Sequence, residues 1–281
     1  SAVSQGIATG SAPVVPKAAA SGKPFAAKFT DVAPVAGLTT RLTYGNEISK
    51  KFIVEANGAG AALVDFDNDG RLDAFLVNGS RFEKTAAPAT NLLYRNLGDG
   101  KFKDVTRAAG MAKSGWGNGV CAGDVDNDGF VDLYVTYWGA NVLYRNRRDG
   151  TFEDVTAKAG VAGQAGQWAT GCTFLDYDRD GDLDLFFATY VGFDPAKTPL
   201  PGQFPYCTWK GAPVFCGPRG LPYGTATLYR NRGDGTFEDV SVSAKIRDVS
   251  GFYAFTAVSA DLDGDGWLDI FVTNYVDFTL A

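Results

Sequence analysis

"DVDNDGFVDLYV", residues 124–135, puts four aspartates into nine positions and then runs straight into apolar, β-prone residues. Carboxylates crowded so closely repel one another unless a cation sits among them. The stretch has three relatives: "DFDNDGRLD" from Asp65, "DYDRDGDLD" from Asp176 and "DLDGDGWLD" from Asp261. All four fit D-x-D-x-D-G-x-x-D, and their starts are 59, 52 and 85 residues apart. A single such loop reads as an Asp-Gly turn. Four copies with sixteen aspartates in register read as cages for a hard divalent ion.

In such a cage the side chains at positions 1, 3 and 5, the carbonyl at 7 and the carboxylate at 9 supply oxygen, and the glycine at 6 permits the tight turn. The candidate ligands are Asp65, Asp67, Asp69, Arg71 and Asp73 in the first loop, and Asp124, Asp126, Asp128, Phe130 and Asp132 in the second. They are Asp176, Asp178, Asp180, Asp182 and Asp184 in the third, and Asp261, Asp263, Asp265, Trp267 and Asp269 in the fourth. The position-7 residues contribute their carbonyls. An all-oxygen set with loose geometry suits Ca²⁺ at about four sites; Mg²⁺ prefers strict octahedra. With no histidine in the chain and no cysteine ligand nearby, softer metals are disfavoured. An EF-hand needs an acid at position 12 and flanking helices. Here position 12 is Leu76, Val135, Phe187 and Val272, each in an expected strand.

A second element recurs between the loops: "NLLYRNLGDGKFKDVTRAAG" (91–110), "NVLYRNRRDGTFEDVTAKAG" (141–160) and "TLYRNRGDGTFEDVSVSAKI" (227–246). Self-similarity at this period marks a solenoid or propeller. Each unit reads as four short strands: one before the aspartate loop ("GAALVDF"), one after it ("DAFLVN"), the "LLYRN" strand and the "KFKDVT" strand. Asp-Gly between the last two predicts a two-residue hairpin of type I′. The fold class is therefore all-β, a propeller of four-stranded blades. About four blades are present of an expected seven, over residues 25–281, and the fourth breaks off twelve residues after Asp269. The chain is expected to be a fragment, or to have its ring completed by another polypeptide.

The bulk numbers agree. Among 281 residues, 35 are Gly and 32 are Phe or Tyr, as many turns joined to aromatic-rich strands require. The net charge is −6, but the sixteen aspartates in register are half of the 32 acidic residues, and four Ca²⁺ would take it to +2. The acidity therefore says little about a cationic partner. No basic stripe supports nucleic-acid binding. The lack of histidine removes His-based acid/base chemistry, Ser-His-Asp triads and His–metal sites. No apolar run is long enough for a transmembrane helix. The sequence begins at Ser1 and its one methionine is Met111, which suits removal of a signal peptide and export to the periplasm, cell surface or exterior.

At the aspartate loops the sequence resembles the FG-GAP/VCBS repeat family, the calcium-loop propellers also found in integrin α chains. The loop followed by LYRN-x-x-DG-x-F-x-DVT more narrowly resembles proteins related to cartilage acidic protein, often carrying an ASPIC/UnbV segment. "TYGNEISKKFIVEANGAGAALVDFDNDG" (43–70) and "FPYCTWKGAPVFCGPRGLPYG" (204–224) fit that subgroup. The resemblance covers about residues 28–281 and implies a calcium-binding propeller. Two departures stand out. The Phe-Gly/Gly-Ala-Pro signature is replaced by "NGAGAAL" and "GNGVCAG", and no ASPIC/UnbV segment is visible.

The 85-residue spacing implies an insertion at about 192–224, which holds seven of the twelve prolines. Long loops on rigid scaffolds often carry function. Cys207 and Cys216 lie nine apart in it and are expected to form a disulfide if the protein is exported; the alternative is a reduced, buried pair. Cys121 and Cys172 precede their loops by three and four residues, which aims them to opposite strand faces as small core residues. Arg232–Gly233–Asp234 spells RGD, but its counterparts read LGD and RRD, so it is a hairpin turn. Trp138, Tyr190 and Tyr275 end equivalent strands and read as packing residues, with sugar stacking or partner contact as the alternative. Residues 1–24 read as a flexible tail.

The function expected from this reading is an exported, calcium-stabilised, non-catalytic scaffold for protein or carbohydrate binding and adhesion at the cell surface. One alternative is an accessory subunit of a larger membrane-associated complex. Another is a secreted polysaccharide-acting enzyme using a Lys, Tyr or Arg of the central channel.

Overall fold

The structure, a computed structural model, describes residues 28–83, 87–205, 207–218, 220–246 and 253–274. The expected tail at 1–24 and Tyr275 lie outside these residues. The first blade is the sheet β1 (Ala61–Val64), β2 (Asp73–Leu76), β3 (Leu92–Gly98) and β4 (Lys101–Asp104), paired in that order. The second repeats it with β5 (Trp116–Gly123), β6 (Asp132–Trp138), β7 (Val142–Asn146) and β8 (Phe152–Asp154). In the third, β9 (Gln167–Leu175) and β10 (Asp184–Gly192) are followed by a small hairpin, β11 (Thr208–Trp209) and β12 (Ala212–Pro213). The blade then resumes with β13 (Thr227–Asn231) and β14 (Phe237–Asp239). β15 (Ala254–Ala260) and β16 (Asp269–Asn274) form the fourth unit among the described residues. All pairings are antiparallel, and the second and third blades join through Trp138 opposite Trp168. These are propeller blades, as the four-strand repeat predicts.

The blades are held by side chains from both faces of each second strand. In β6, Leu133, Val135 and Tyr137 pack against Val64, Phe75 and Leu93 of the first blade. The alternate Tyr134 packs with Phe174, Leu185 and Phe187 of the third. With a period of two, a strand buried on both sides must be apolar almost throughout. That explains "DLYVTYW", and it explains why position 12 of each loop is apolar. Cys121 and Cys172 border the same interblade core, one from each blade. Opposite faces of equivalent strands are the two sides of one gap, and both thiols are free.

Small residues set how near the first strands approach. Gly60, Gly119 and Gly171 each stand five positions before the first aspartate of their loops. A Cβ at Gly60 would lie 2.5 Å from Asn118 O, at Gly119 2.2 Å from Thr170 O, and at Gly171 2.6 Å from Thr256 Cα. Each glycine thus meets the first strand of the next blade. The fourth unit has Thr256 at this position, where the side chain is exposed.

The hairpin expectation holds in one blade and is corrected in two. Asp99 and Gly100 form a two-residue turn with φ of 50° and 69°, between paired Gly98 and Lys101. In the second and third blades the connection has three residues, closed by Arg147 N–H to Thr151 O and by Arg232 N–H to Thr236 O. There the positive φ falls on Arg148 and Gly150, and on Gly233 and Gly235. Asp149 and Asp234 instead accept from Thr151 and Thr236, N–H and hydroxyl alike. The threonine hydroxyl adds a second bond to this Asx turn, which Lys101 of the first blade has no hydroxyl to make. The RGD triplet lies in this turn.

The substitution G119A is expected to force the second and third blades apart and to cost about 1–3 kcal/mol. Urea unfolding that matches the parent within about 0.5 kcal/mol would contradict this.

Candidate metal centres

Each loop is first a hydrogen-bonded turn. The position-1 aspartate accepts from the position-6 glycine: Gly70 N to Asp65 Oδ2 at 2.8 Å, Gly129 to Asp124 at 2.7 Å, Gly181 to Asp176 at 3.2 Å and Gly266 to Asp261 at 3.0 Å. The position-5 aspartate turns one oxygen onto the N–H of position 7, as Asp69 does for Arg71 and Asp265 for Trp267. Asp128 and Asp180 do the same for Phe130 and Asp182. Glycine at position 6 is required by φ values of 85–94° in the four loops, including Gly181 and Gly266.

Position 9 ties the blade together. One oxygen of Asp73 accepts from Phe66 N–H in the loop, and the other accepts from Asn96 N–H on β3 at 2.7 Å. Asp132 bridges Val125 and Asn146 in the same way, and Asp184 bridges Tyr177 and Asn231. Asp269 accepts from Leu262 N–H. Asp73, Asp132 and Asp184 are at most 1% exposed. Burial pushes the Asp73 carboxyl up to about 6 and those of Asp132 and Asp184 up to about 7, against the pull of their backbone donors. Neighbouring loop carboxylates raise all three further.

These turns gather carboxylates. One oxygen from each of Asp65, Asp67 and Asp73 falls within a mutual 4.8 Å, and so do the sets Asp124–Asp126–Asp132, Asp176–Asp178–Asp184 and Asp261–Asp263–Asp265. Positions 1, 3 and 9 therefore converge in three loops, while Asp69, Asp128 and Asp180 stand outside those sets. The fourth loop gathers position 5 in place of Asp269. Asp67 Oδ1, Asp176 Oδ1 and Asp178 Oδ1 are buried without a hydrogen-bond partner. A carboxylate oxygen in that state is costly unless something positive meets it. All-oxygen donors, three per set, with orphaned buried oxygens in the first and third sets, fit a hard divalent cation.

Sequence reasoning missed the residues that interlock the loops. At position 4, Asn68 and Asn127 have positive φ and reach the following blade. Asn68 donates to Gly129 O at 2.9 Å, Asn127 donates to Asp182 Oδ1 at 2.7 Å, and Arg179 stacks 3.9 Å over the Trp267 ring. In return, Asn146 donates to Phe66 O and Asn231 to Val125 O, both at 2.8 Å and both toward the preceding loop. The readable signal was "LYRN" itself, unchanged in three copies.

The opposite rim is different. The second strands begin at the loops, so their far ends carry Trp138 and Tyr190 away from them. Both join an aromatic core with Phe52, Trp116, Trp168 and Phe193, which makes Tyr190 a packing residue. The insertion springs from this rim, anchored by Gly192 N–H to Pro222 O and by Tyr253 Oη–H to Pro218 O. Cys207 and Cys216 are bonded, with Cα atoms 5.3 Å apart, and between them the β11–β12 hairpin holds Trp209 69% exposed.

The FG-GAP-like repeat family matches residues 65–135, 124–187 and 214–272, well over half of the chain. The chain belongs to this family. No curated protein matches it. Among solved structures, one similar chain is an Agrocybe aegerita lectin, described for specific recognition of non-reducing terminal N-acetylglucosamine. It is 18% identical, with a TM-score of 0.29, and the match covers 76% of this chain and 60% of the lectin. This FG-GAP chain thus spans under two thirds of that relative.

The position-9 carboxyls fix a sign. Their raised values contribute stability that is fully present below the ordinary Asp range, about pH 4, and is lost as pH rises through about 6–7. A cation that enters at pH 6 must therefore displace protons. Calorimetric Ca²⁺ titration at pH 6 is expected to depend on buffer ionisation enthalpy, and at pH 8.5 to be independent of it. Independence at both values would contradict the assignment.

Proposed function

We propose that this chain is a calcium-stabilised propeller scaffold, exported and non-catalytic, that binds a protein or glycan through its disulfide-tied loop. The observation that carries the reading is the division of labour between the rims. One rim gathers carboxylates with buried, unpaired oxygens; the other anchors a loop that presents Trp209 to solvent. Asp65, Asp124, Asp176 and their partners at positions 3 and 9 would hold Ca²⁺, which would neutralise the loops and fix first strand to second. The ion is structural in this reading, since the loops stand at the rim away from the insertion.

Export is supported by the Cys207–Cys216 disulfide, because such bonds persist in oxidising compartments. No helix among the described residues is long and apolar enough to cross a membrane. The non-catalytic reading is supported by the lack of histidine in the chain. The LYRN hairpins and the Cys-containing loop favour a place near the ASPIC/UnbV-associated subgroup.

An ion held at a hundred times its Kd adds about 2.7 kcal/mol. Excess chelator should therefore lower the melting temperature by about 5–10 °C for each ion lost. An unchanged transition would refute the structural ion. W209A should leave melting unchanged and abolish binding on arrays of glycans and extracellular proteins; retained binding would remove the loop from the recognition surface.

A further inference from the structure

The aspartate loops differ in their supply of internal positive charge. The arginine of each "LYRN" strand lies opposite a residue of the fourth strand: Arg95 opposite Lys103, Arg145 opposite Glu153 and Arg230 opposite Glu238. Lys103 repels Arg95, whose guanidinium turns to the loop and meets Asp67 Oδ2 at 2.6 Å and Asp69 Oδ2 at 3.4 Å. Glu153 is taken by Arg147 at 3.3 Å. Arg145 then also turns to its loop, meeting Asp126 Oδ2 at 2.6 Å, while Arg148 reaches Asp128 Oδ2 at 2.7 Å. In the third blade Glu238 holds both Arg230, at 2.6 Å, and Arg232, at 3.3 Å. Arg230 is thereby kept from its loop, where Asp176 Oδ1 and Asp178 Oδ1 remain buried and unpaired; in the first loop Asp67 Oδ1 is also unpaired, but its Oδ2 carries Arg95.

We infer that the LYRN arginines are competing internal counter-ions which grade the cation affinity of the loops. Glu238, which is no ligand, makes the third loop the tightest by sequestering Arg230. The inference rests on the calcium reading above. A divalent ion entering the first or second loop meets a guanidinium already on a ligand carboxylate, and must displace it or bind beside it. An ion entering the third loop meets ligand carboxylates that carry no LYRN guanidinium. Losing one charge-assisted contact corresponds to roughly tenfold or more in affinity. The fourth loop stands outside this ranking, since its third strand is not among the described residues.

Ca²⁺ titration calorimetry of the full chain at pH 8 tests this. D178N should delete the tightest step. E238Q should weaken that step roughly tenfold by releasing Arg230 toward Asp178, and adding R230Q in the same chain should restore it. That restoration separates sequestration from the plain loss of a negative charge. R145Q, at a half-exposed side chain that is no ligand, should tighten one of the weaker steps and leaves the proposal testable should D178N not fold. Equal weakening in E238Q and E238Q/R230Q, or a tightest step that survives D178N, would overturn the ranking while leaving calcium binding intact. No Ca²⁺ heat in any variant would overturn the calcium reading and the ranking with it.

Discussion

Everything in this chain turns on a buried carboxylate that ends the aspartate loop and begins the second strand. Asp73, Asp132 and Asp184 each accept two backbone N–H bonds, one from the loop and one from the third strand. That geometry uses both oxygens of the carboxyl group, so Asn, with one oxygen and an NH2 donor, cannot serve both donors in the same way. The ionised form is disfavoured by burial and by the carboxylates at positions 1 and 3. A divalent cation in the same cage would turn that repulsion into attraction. Charge balance is thus part of the blade's architecture as much as its apolar packing is.

Local cages become a shared rim because each loop is tied to its neighbours. Position-4 side chains run forward to the next loop, and LYRN asparagines run back to the previous one. The glycines five residues before the loops bring the first strands into backbone contact. Together these leave little freedom for one blade to move without the next. They give the opposite rim a stiff base, on which a loop with one disulfide can hold an exposed tryptophan in place.

Much of this was legible in the residues. The four strands per repeat follow from alternation and from the loop positions, and apolar position 12 told strand from EF-hand helix. The Cys207–Cys216 bond was readable from spacing and context. The insertion's origin on the far rim follows from the fold but was not drawn from the sequence. Other features were hidden because they depend on contacts between repeats. Asn68 and Asn127 read as turn residues, and only the curl of the blades shows what they reach. The hairpin was read as one type, yet Thr151 and Thr236 select a three-residue turn where Lys101 does not. The paths of Arg95, Arg145 and Arg230 depend on which residue happens to lie opposite, which requires the register.

The claim that the blades are organised around hard cations is tested most directly by anomalous diffraction from crystals grown with calcium. A peak is expected in each of the first three loops, within bonding distance of the aspartates at positions 1, 3 and 9. Well-ordered loops with no peak, and with Arg95 and Arg145 still seated on Asp67 and Asp126, would contradict it.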